Sequence, residues 1–300
     1  MKILVTGASG FVGSHLVPYL LEAGHSIVAA GRDQKRLERT FPEKDRKLTL
    51  VATSYDGDLV DLFNDNKINA IVHLAAKLPS RATPDQLDAY IVANVLLLER
   101  ILNASLRYGV KNVVYLSSQS VYSSFNKLPF SESEPARPDN FYGLSKLMGE
   151  ELAGMYNRVH DMQIKSLRAA QLIGKGEREG YMLSMFIEKA RRGEPLSVWG
   201  DGKGARDYLS IDDLNSAILS ALLYEVTGVF NIGSGRPVTH LELAKTISRV
   251  FKNEAQIIME KNKKEDKSVR FMEVASAKEL LSWVPVFELK NALLALKKYL

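Results

Sequence analysis

Tyr142 and Lys146 stand four positions apart, and their types and spacing could do chemistry. On a helix this spacing puts both side chains on one face. A phenol ordinarily ionises near pH ~10, and an adjacent ammonium lowers that value, which makes the phenol a usable acid or base. Tyr-x-x-x-Lys occurs once in the chain, and a surface i,i+4 pair would read the same way. The pair lies downstream of a predicted strand, Asn112–Leu116, that runs into Ser117-Ser118-Gln119-Ser120-Val121-Tyr122. Ser118, at that strand's end, could donate to the same substrate oxygen that Tyr142 protonates, and together they would polarise a carbonyl.

The chain opens Met1-Lys-Ile-Leu-Val-Thr-Gly-Ala-Ser-Gly-Phe-Val-Gly13, a buried parallel strand feeding a helix through a turn set by Gly7, Gly10 and Gly13. Free N–H groups and the dipole of a helix N-terminus both point at an anion there. Gly7 permits the turn, Gly10 lets a pyrophosphate approach the backbone, and Gly13 lets helix and strand lie close. The spacing is G-x-x-G-x-x-G, not the commoner G-x-G-x-x-G, and three turn glycines without a ligand are the alternative. A dinucleotide held here would bring a nicotinamide to the Ser118–Tyr142–Lys146 cluster for hydride transfer, with Lys146 also holding its ribose. The second strand, Ser26–Ala30, ends without the acid that receives an adenosine ribose. Gly31, Arg32 and Asp33 follow it, and Arg32 favours a 2′-phosphate, hence NADP, with NAD as the alternative. Asp33 could still swing onto a ribose, and Arg32 could be a plain surface charge.

The elements that must position these groups alternate. Strands are predicted at Leu48–Ala52, Ala70–Leu74 and Gln163–Leu167, and helices over about 11–23, 58–64, 84–108 and 139–157. The fourth strand runs out through His73-Leu74-Ala75-Ala76, where small residues let a cofactor lie against the backbone. This is the pattern of an α/β protein with a doubly wound, Rossmann-like parallel sheet and its ligand at the carboxyl strand ends. Residues 1–167 form the dinucleotide-binding part. Residues 168–300 lose the alternation and form a smaller α/β substrate-binding lobe, with some strands returning to the main sheet.

The chain has 300 residues, a net charge of +5 and no cysteine, which excludes disulfides, a thiolate nucleophile and zinc–thiolate sites and suits a reducing cytoplasm. The short apolar N-terminal run is the first strand, so no signal peptide is read, and no apolar run is read as membrane-spanning. The lysines between 261 and 267 read as solvated surface and not as a nucleic-acid patch.

Five stretches carry a resemblance over essentially the whole length. They are Thr6–Gly13, His73–Ala76, Leu116–Tyr122, Pro138–Lys146 and Leu196-Ser-Val-Trp-Gly-Asp-Gly-Lys-Gly-Ala-Arg-Asp-Tyr208. The sequence resembles an extended short-chain dehydrogenase/reductase, the NAD(P)-dependent nucleotide-sugar epimerase/dehydratase/reductase family. The resemblance implies that Ser118, Tyr142 and Lys146 are catalytic. It implies that Gly7, Gly10, Phe11, Val12, Gly13, Arg32, Leu74, Ala75, Ala76, Asn94 and Lys146 line or support the cofactor site. It places Arg206 on the diphosphate of a nucleotide-sugar substrate and Trp199 near the nucleotide base, where a plain apolar strand residue is the other reading. It also implies a homodimer through the helices near 84–108 and 139–157.

Several positions depart from the family pattern. Gln171 stands where many members have Asn. The region of the family's second phosphate-binding arginine reads Asn262-Lys-Lys-Glu-Asp266, which leaves Lys263, Lys264 or Arg270 as the substitute. Sugar 4,6-dehydratases carry Asp-Glu directly after the catalytic Ser/Thr, and this chain has Gln119-Ser120, so dehydration is not expected. Gln119 could bond the substrate or close the strand end. Lys77, Arg81, Lys175 and Arg178 could reach substrate from loops or be surface charges. The reading that follows is reduction of a 4-keto sugar with Tyr142 as acid. An NAD-dependent UDP-hexose 4-epimerase is the alternative, and a non-catalytic dinucleotide sensor is the alternative of another class.

Overall fold

The computed structural model describes residues 1–56, 59–63, 67–79, 86–177 and 180–300. Arg81 and Arg178, and parts of the helices predicted from 58 and 84, lie outside the described residues. The apolar runs become strands β1 (Lys2–Thr6), β2 (Ser26–Gly31), β3 (Leu48–Ala52), β4 (Ala70–His73), β5 (Asn112–Ser118) and β6 (Gln163–Ala169). Next come β7 (Gln171–Ile173), β8 (Leu196–Trp199), β9 (Ala205–Ser210), β10 (Gly228–Ile232), β11 (Pro237–Thr239), β12 (Ile257–Glu260) and β13 (Val269–Arg270). The main sheet runs β10-β6-β5-β4-β1-β2-β3, parallel throughout. It is the doubly wound sheet the alternation predicts. Strand order reverses between β1 and β4, and the crevice outside such a reversal is where open α/β sheets bind ligands.

Both faces of the sheet are covered, so its central strands are apolar at successive positions. Along β1, Ile3 and Val5 join one core while Leu4 joins the other. The first core receives α1 (Phe11–Glu22) through Leu16, Val17 and Leu20. The helices that follow are α2 (Gln34–Thr40), α3 (Val60–Phe63), and α4 (Leu87–Tyr90) with α5 (Leu97–Arg107), which are joined by a π-helical segment, Ile91–Leu96. α6 (Phe141–His160) packs beside α5 on the second core, which takes Ile101 and Leu102 from α5 and Ala153 and Tyr156 from α6.

α2 escapes sequence reading because it buries only Leu37, so no apolar period announces it. α6 starts two residues later than predicted, because the Asn140 side chain accepts the Gly143 N–H at 2.8 Å and caps it. Contrary to the sequence reading, the continuous helix Leu87–Arg107 is long and apolar enough to cross a membrane. Its apolar character serves two surfaces, one packed on the sheet and α6 and one exposing Val92 and Leu96.

Beyond β6 come α7 (Met182–Arg191), α8 (Ile211–Leu223), α9 (His240–Phe251), α10 (Ala275–Leu280) and α11 (Leu289–Lys297). α8 and β10 return to the main sheet, while β9 pairs with β7, β11 and β13 in a small sheet of its own. α7, α9 and α11 close a third core over that small sheet.

Candidate active site

The turn after β1 is held in backbone contact on two sides. Gly7 has φ +68°, and a Cβ there would stand 2.7 Å from the Ala75 nitrogen, so this position admits neither a side chain nor its usual φ. A Cβ on Gly13 would stand 2.4 Å from the Ala8 oxygen, so helix and strand meet without a spacer. Gly10 is the extended N-cap of α1, and its N–H donates to the Gly7 carbonyl at 2.9 Å. The opening N–H groups of α1, from Phe11, Val12 and Gly13, have no acceptor within the helix and face outward from its end. Val12 packs on the first core, and Phe11 lies edge-on to His15. Thr6 fastens the neighbouring strand exit: the Leu74 N–H donates to its carbonyl at 3.2 Å and the Ala75 N–H to its hydroxyl at 3.4 Å. Ala76 continues that exit. A glycine turn, a free helix N-terminus and an alanine-lined strand exit at the sheet's reversal together fit a dinucleotide pyrophosphate.

Arg32 is exposed just past the tip of β2. Asp33 does not stand free for a ribose, because its carboxylate caps α2 by accepting the Arg36 N–H at 3.1 Å. Sequence reading missed Tyr55, a buried residue whose hydroxyl accepts the Gly7 N–H at 3.4 Å and whose ionisation burial pushes up to about 12.

Ser118 ends β5 and caps a 3-10 turn, its hydroxyl accepting the Ser120 N–H at 3.1 Å. Gln119 follows it, and its buried side-chain oxygen has no hydrogen-bond partner. Tyr142 lies in the first turn of α6, half-buried, with its ring 6.3 Å from that of Tyr90. One turn on, the Lys146 ammonium donates to the Leu116 carbonyl at 2.7 Å and sits 4.7 Å over the Tyr115 ring. Lys146 is 3% exposed; burial pulls its ionisation down to about 7, against the opposing pull of Glu150.

Asn94 lies inside the π-helical segment and clamps the β4 exit to α6. Its side-chain oxygen accepts the Lys77 N–H at 2.6 Å, and its amide donates to the Lys77 carbonyl at 3.1 Å and to the Ser145 hydroxyl at 2.9 Å. Asn94 is buried at 1% exposure within this otherwise apolar segment. The lysines proposed from loops are engaged otherwise here: Lys77 covers the Tyr90 ring and Lys175 the Tyr299 ring.

On the lobe side, Arg206 and Arg270 are register partners on β9 and β13, which places them side by side. Arg206 pairs with Asp266 and donates to the Ala205 and Ser268 carbonyls at 2.8 and 2.7 Å. Arg270 reaches back to Asp139 at 3.4 Å, just before the N-terminus of α6. Asp207, the fully buried residue after Arg206 on β9, accepts from Ser234, Gly235 and Met272 and fixes β9 to the segments beside it. Trp199 is 53% exposed at the tip of β8, and the Lys263 ammonium lies 5.4 Å over its ring. Gln171 opens β7 opposite Tyr208 of β9. Sequence reading missed Glu265 and Asp266, which sit in a lysine-rich stretch that reads as plain surface. Glu265 receives the Asp201 and Gly204 N–H groups at 2.9 and 2.7 Å and holds the turn that leads into Arg206.

Residues 3–233 match the family described as the NAD dependent epimerase/dehydratase family. A UDP-glucose 4-epimerase from Mycolicibacterium smegmatis is 31% identical over 258 residues, covering 83% of this chain and 82% of that protein. The crystal structure of a UDP-N-acetylglucosamine 4-epimerase from Bacillus cereus superposes with a TM-score of 0.86 at 30% identity, covering 100% of this chain and 96% of that one. A UDP-glucuronic acid 4-epimerase from the same organism, solved with UDP-glucuronic acid and NAD, gives 0.85 at 27% identity, covering 100% and 98%.

Proposed function

The chain belongs to the NAD dependent epimerase/dehydratase family, and from that premise we propose that it is a UDP-sugar 4-epimerase. It would interconvert two configurations at one ring carbon through a transient 4-keto sugar. The observation that carries the reading is the placement of Tyr142 and Lys146 on one turn of α6, beside Ser118, across from a glycine turn that fits a dinucleotide. The relatives' activities support the epimerase over the one-way ketoreductase that the sequence reading favours.

When bound, the dinucleotide supplies a hydride acceptor and then a donor. Tyr142, as phenolate, takes the proton from the C4 hydroxyl and returns it to the carbonyl oxygen after the keto sugar has turned over. Ser118 donates to that oxygen in both directions. Lys146 stabilises the phenolate and holds the cofactor ribose. Gly7, Gly10, Phe11, Val12 and Gly13 hold the pyrophosphate, while Leu74, Ala75, Ala76 and Asn94 shape the wall opposite. Arg206 binds the substrate diphosphate, with Arg270 or Lys263 as the second cation and Trp199 against the base. Gln119 and Gln171 face the sugar and diphosphate. Residues 1–167 hold the cofactor and 168–300 most of the substrate. Val92 and Leu96 on the long helix, with Met148, Met155 and Val159 on α6, support a homodimer through these helices.

The test is incubation of the purified chain with UDP-glucose, UDP-N-acetylglucosamine or UDP-glucuronic acid, read by NMR at C4. Epimerisation without added cofactor, with NAD released on denaturation, is the expected result. One observation favours a second reading, a dissociable NADPH and a ketoreductase: Arg32 takes the place where an acid would receive the ribose, and Asp33 is occupied as a cap. NADPH oxidation with a 4-keto nucleotide sugar, and no epimerisation, would establish that reading instead.

A further inference from the structure

We propose that Glu150 is a positioning residue for the acid–base site, fixing the charge of Lys146 and tying α6 to the strand end that carries Ser118. This rests on the assignment of Tyr142 and Lys146, and it concerns a property of the lysine that exists without turnover.

Glu150 lies one turn beyond Lys146 on α6 and is 5% exposed. The Ser117 hydroxyl, adjacent to Ser118, donates to one of its oxygens. Arg168 of β6 grips the carboxylate three times, through Nε at 3.0 and 3.1 Å and through a terminal nitrogen at 2.6 Å. The guanidinium also donates to the Tyr122 hydroxyl at 2.5 Å, and that hydroxyl donates to Asn231 at 3.0 Å. Asn231 in turn donates to the Phe130 carbonyl at 3.0 Å. A carboxylate held by both the Ser117 hydroxyl and the Arg168 guanidinium cannot rotate away, so its charge stays at a fixed distance from Lys146.

A buried ion pair returns little stability compared with apolar residues of the same volume. Its location gives it another use. Lys146 lies over the Tyr115 ring of β5, and that ring stacks on His73 of β4, whose ionisation burial and the Lys146 charge pull down to about 3. On its own helix it is flanked by Tyr142 and Glu150, and Arg168 stands behind Glu150. Glu150 is the carboxylate that offsets the desolvation of this ammonium. A lysine that lost its proton would neither stabilise the Tyr142 phenolate nor donate all its N–H groups to a ribose.

The experiment follows the ¹³Cε resonance of Lys146 with pH in the full-length protein without added cofactor, assigned by its absence in Lys146→Arg. Glu150→Gln is expected to lower the titration midpoint by about one pH unit or more. The upper-pH limb of NAD affinity should move down with it. Arg168→Met, which leaves the carboxylate, is expected to hold or raise the midpoint. Glu150→Gln/Arg168→Met replaces the pair by neutral groups, keeps the fold testable where Glu150→Gln alone unfolds, and is expected to lower the midpoint as well. A lower melting temperature with an unmoved midpoint would reduce Glu150 to a structural role and overturn the proposal. A chain with this titration but no epimerase activity would overturn the proposed reaction and leave Glu150's role standing.

Discussion

Gly143 and Ser120 meet through bare backbone: a Cβ on residue 143 would stand 2.0 Å from the Ser120 carbonyl oxygen. The first turn of α6 therefore rests directly on the loop that leaves β5. Tyr142 precedes the glycine by one residue, and Ser118 precedes the serine by two. In the proposed mechanism this closeness of helix and loop would set how the phenol and the hydroxyl share one substrate oxygen.

Gly143→Ala is expected to push that helix off the loop. A displacement near 1 Å at an acid–base pair costs about 10²-fold in rate. Turnover should fall by that order, with a lower melting temperature and a smaller effect on cofactor affinity. Turnover within twofold of the parent would show that the loop yields freely and that the contact positions nothing.

Tyr142→Phe removes the hydroxyl proposed to transfer the proton and leaves the ring's packing on Tyr90 in place. General acid–base catalysis contributes about 10²–10⁴-fold, so epimerisation should drop by that factor while dinucleotide affinity by calorimetry stays within a few-fold. A variant that retains activity would remove Tyr142 from the chemistry.

Much of this architecture is legible in the sequence because it follows from backbone rules. Gly7 and Gly13 announce a turn that allows no Cβ, and the apolar runs of β1, β4 and β5 announce a sheet buried on both faces. Residues that act through partners distant in sequence are not legible. Asp266 gains meaning only from Arg206, which lies 60 positions earlier, and Glu150 only from Ser117 and Arg168. Asn94 is legible through the family resemblance, but its contacts are not: the widened π turn that brings its side chain to Lys77 has no compositional mark. α2 goes unread because a single buried leucine makes no period.

Arg206→Ala should weaken substrate binding with little change in turnover. Hydrogen bonds to charged groups contribute about 1.5–3 kcal/mol, so KM is expected to rise about 10- to 100-fold. Kinetics with a UDP-sugar check this, and UDP alone should lose affinity in parallel. An unchanged KM would direct the substrate away from the diphosphate role and toward a small ketone or aldehyde.

The exposed apolar faces of the two long helices give a test of assembly. Val159 is 65% exposed and Val92 56%, and both lie on helices that the sheet covers from one side only. If the dimer forms there, Val92→Glu/Val159→Glu should convert it to a monomer, read by light scattering, with the fold retained by circular dichroism. A wild-type monomer at micromolar concentration would rule out this interface.

Lys146 carries a stability cost whose pH dependence has a definite sign. Burial holds its folded-state ionisation at about 7, while the unfolded chain releases that proton near 10.5. Between those values the unfolded state binds the extra proton, so stability rises with pH across the window and the cost is complete below pH ~7. Lys146→Met keeps the bulk and removes the charge. It should raise the melting temperature of the cofactor-free protein at pH 6, by about 2–4 °C for each kcal/mol recovered, and the gain should shrink toward pH 10. The same variant should lose turnover and bind the dinucleotide more weakly. A melting temperature that fell at pH 6, or a gain that grew with pH, would show that the ammonium is stabilised where it lies, and that Glu150 more than offsets its burial.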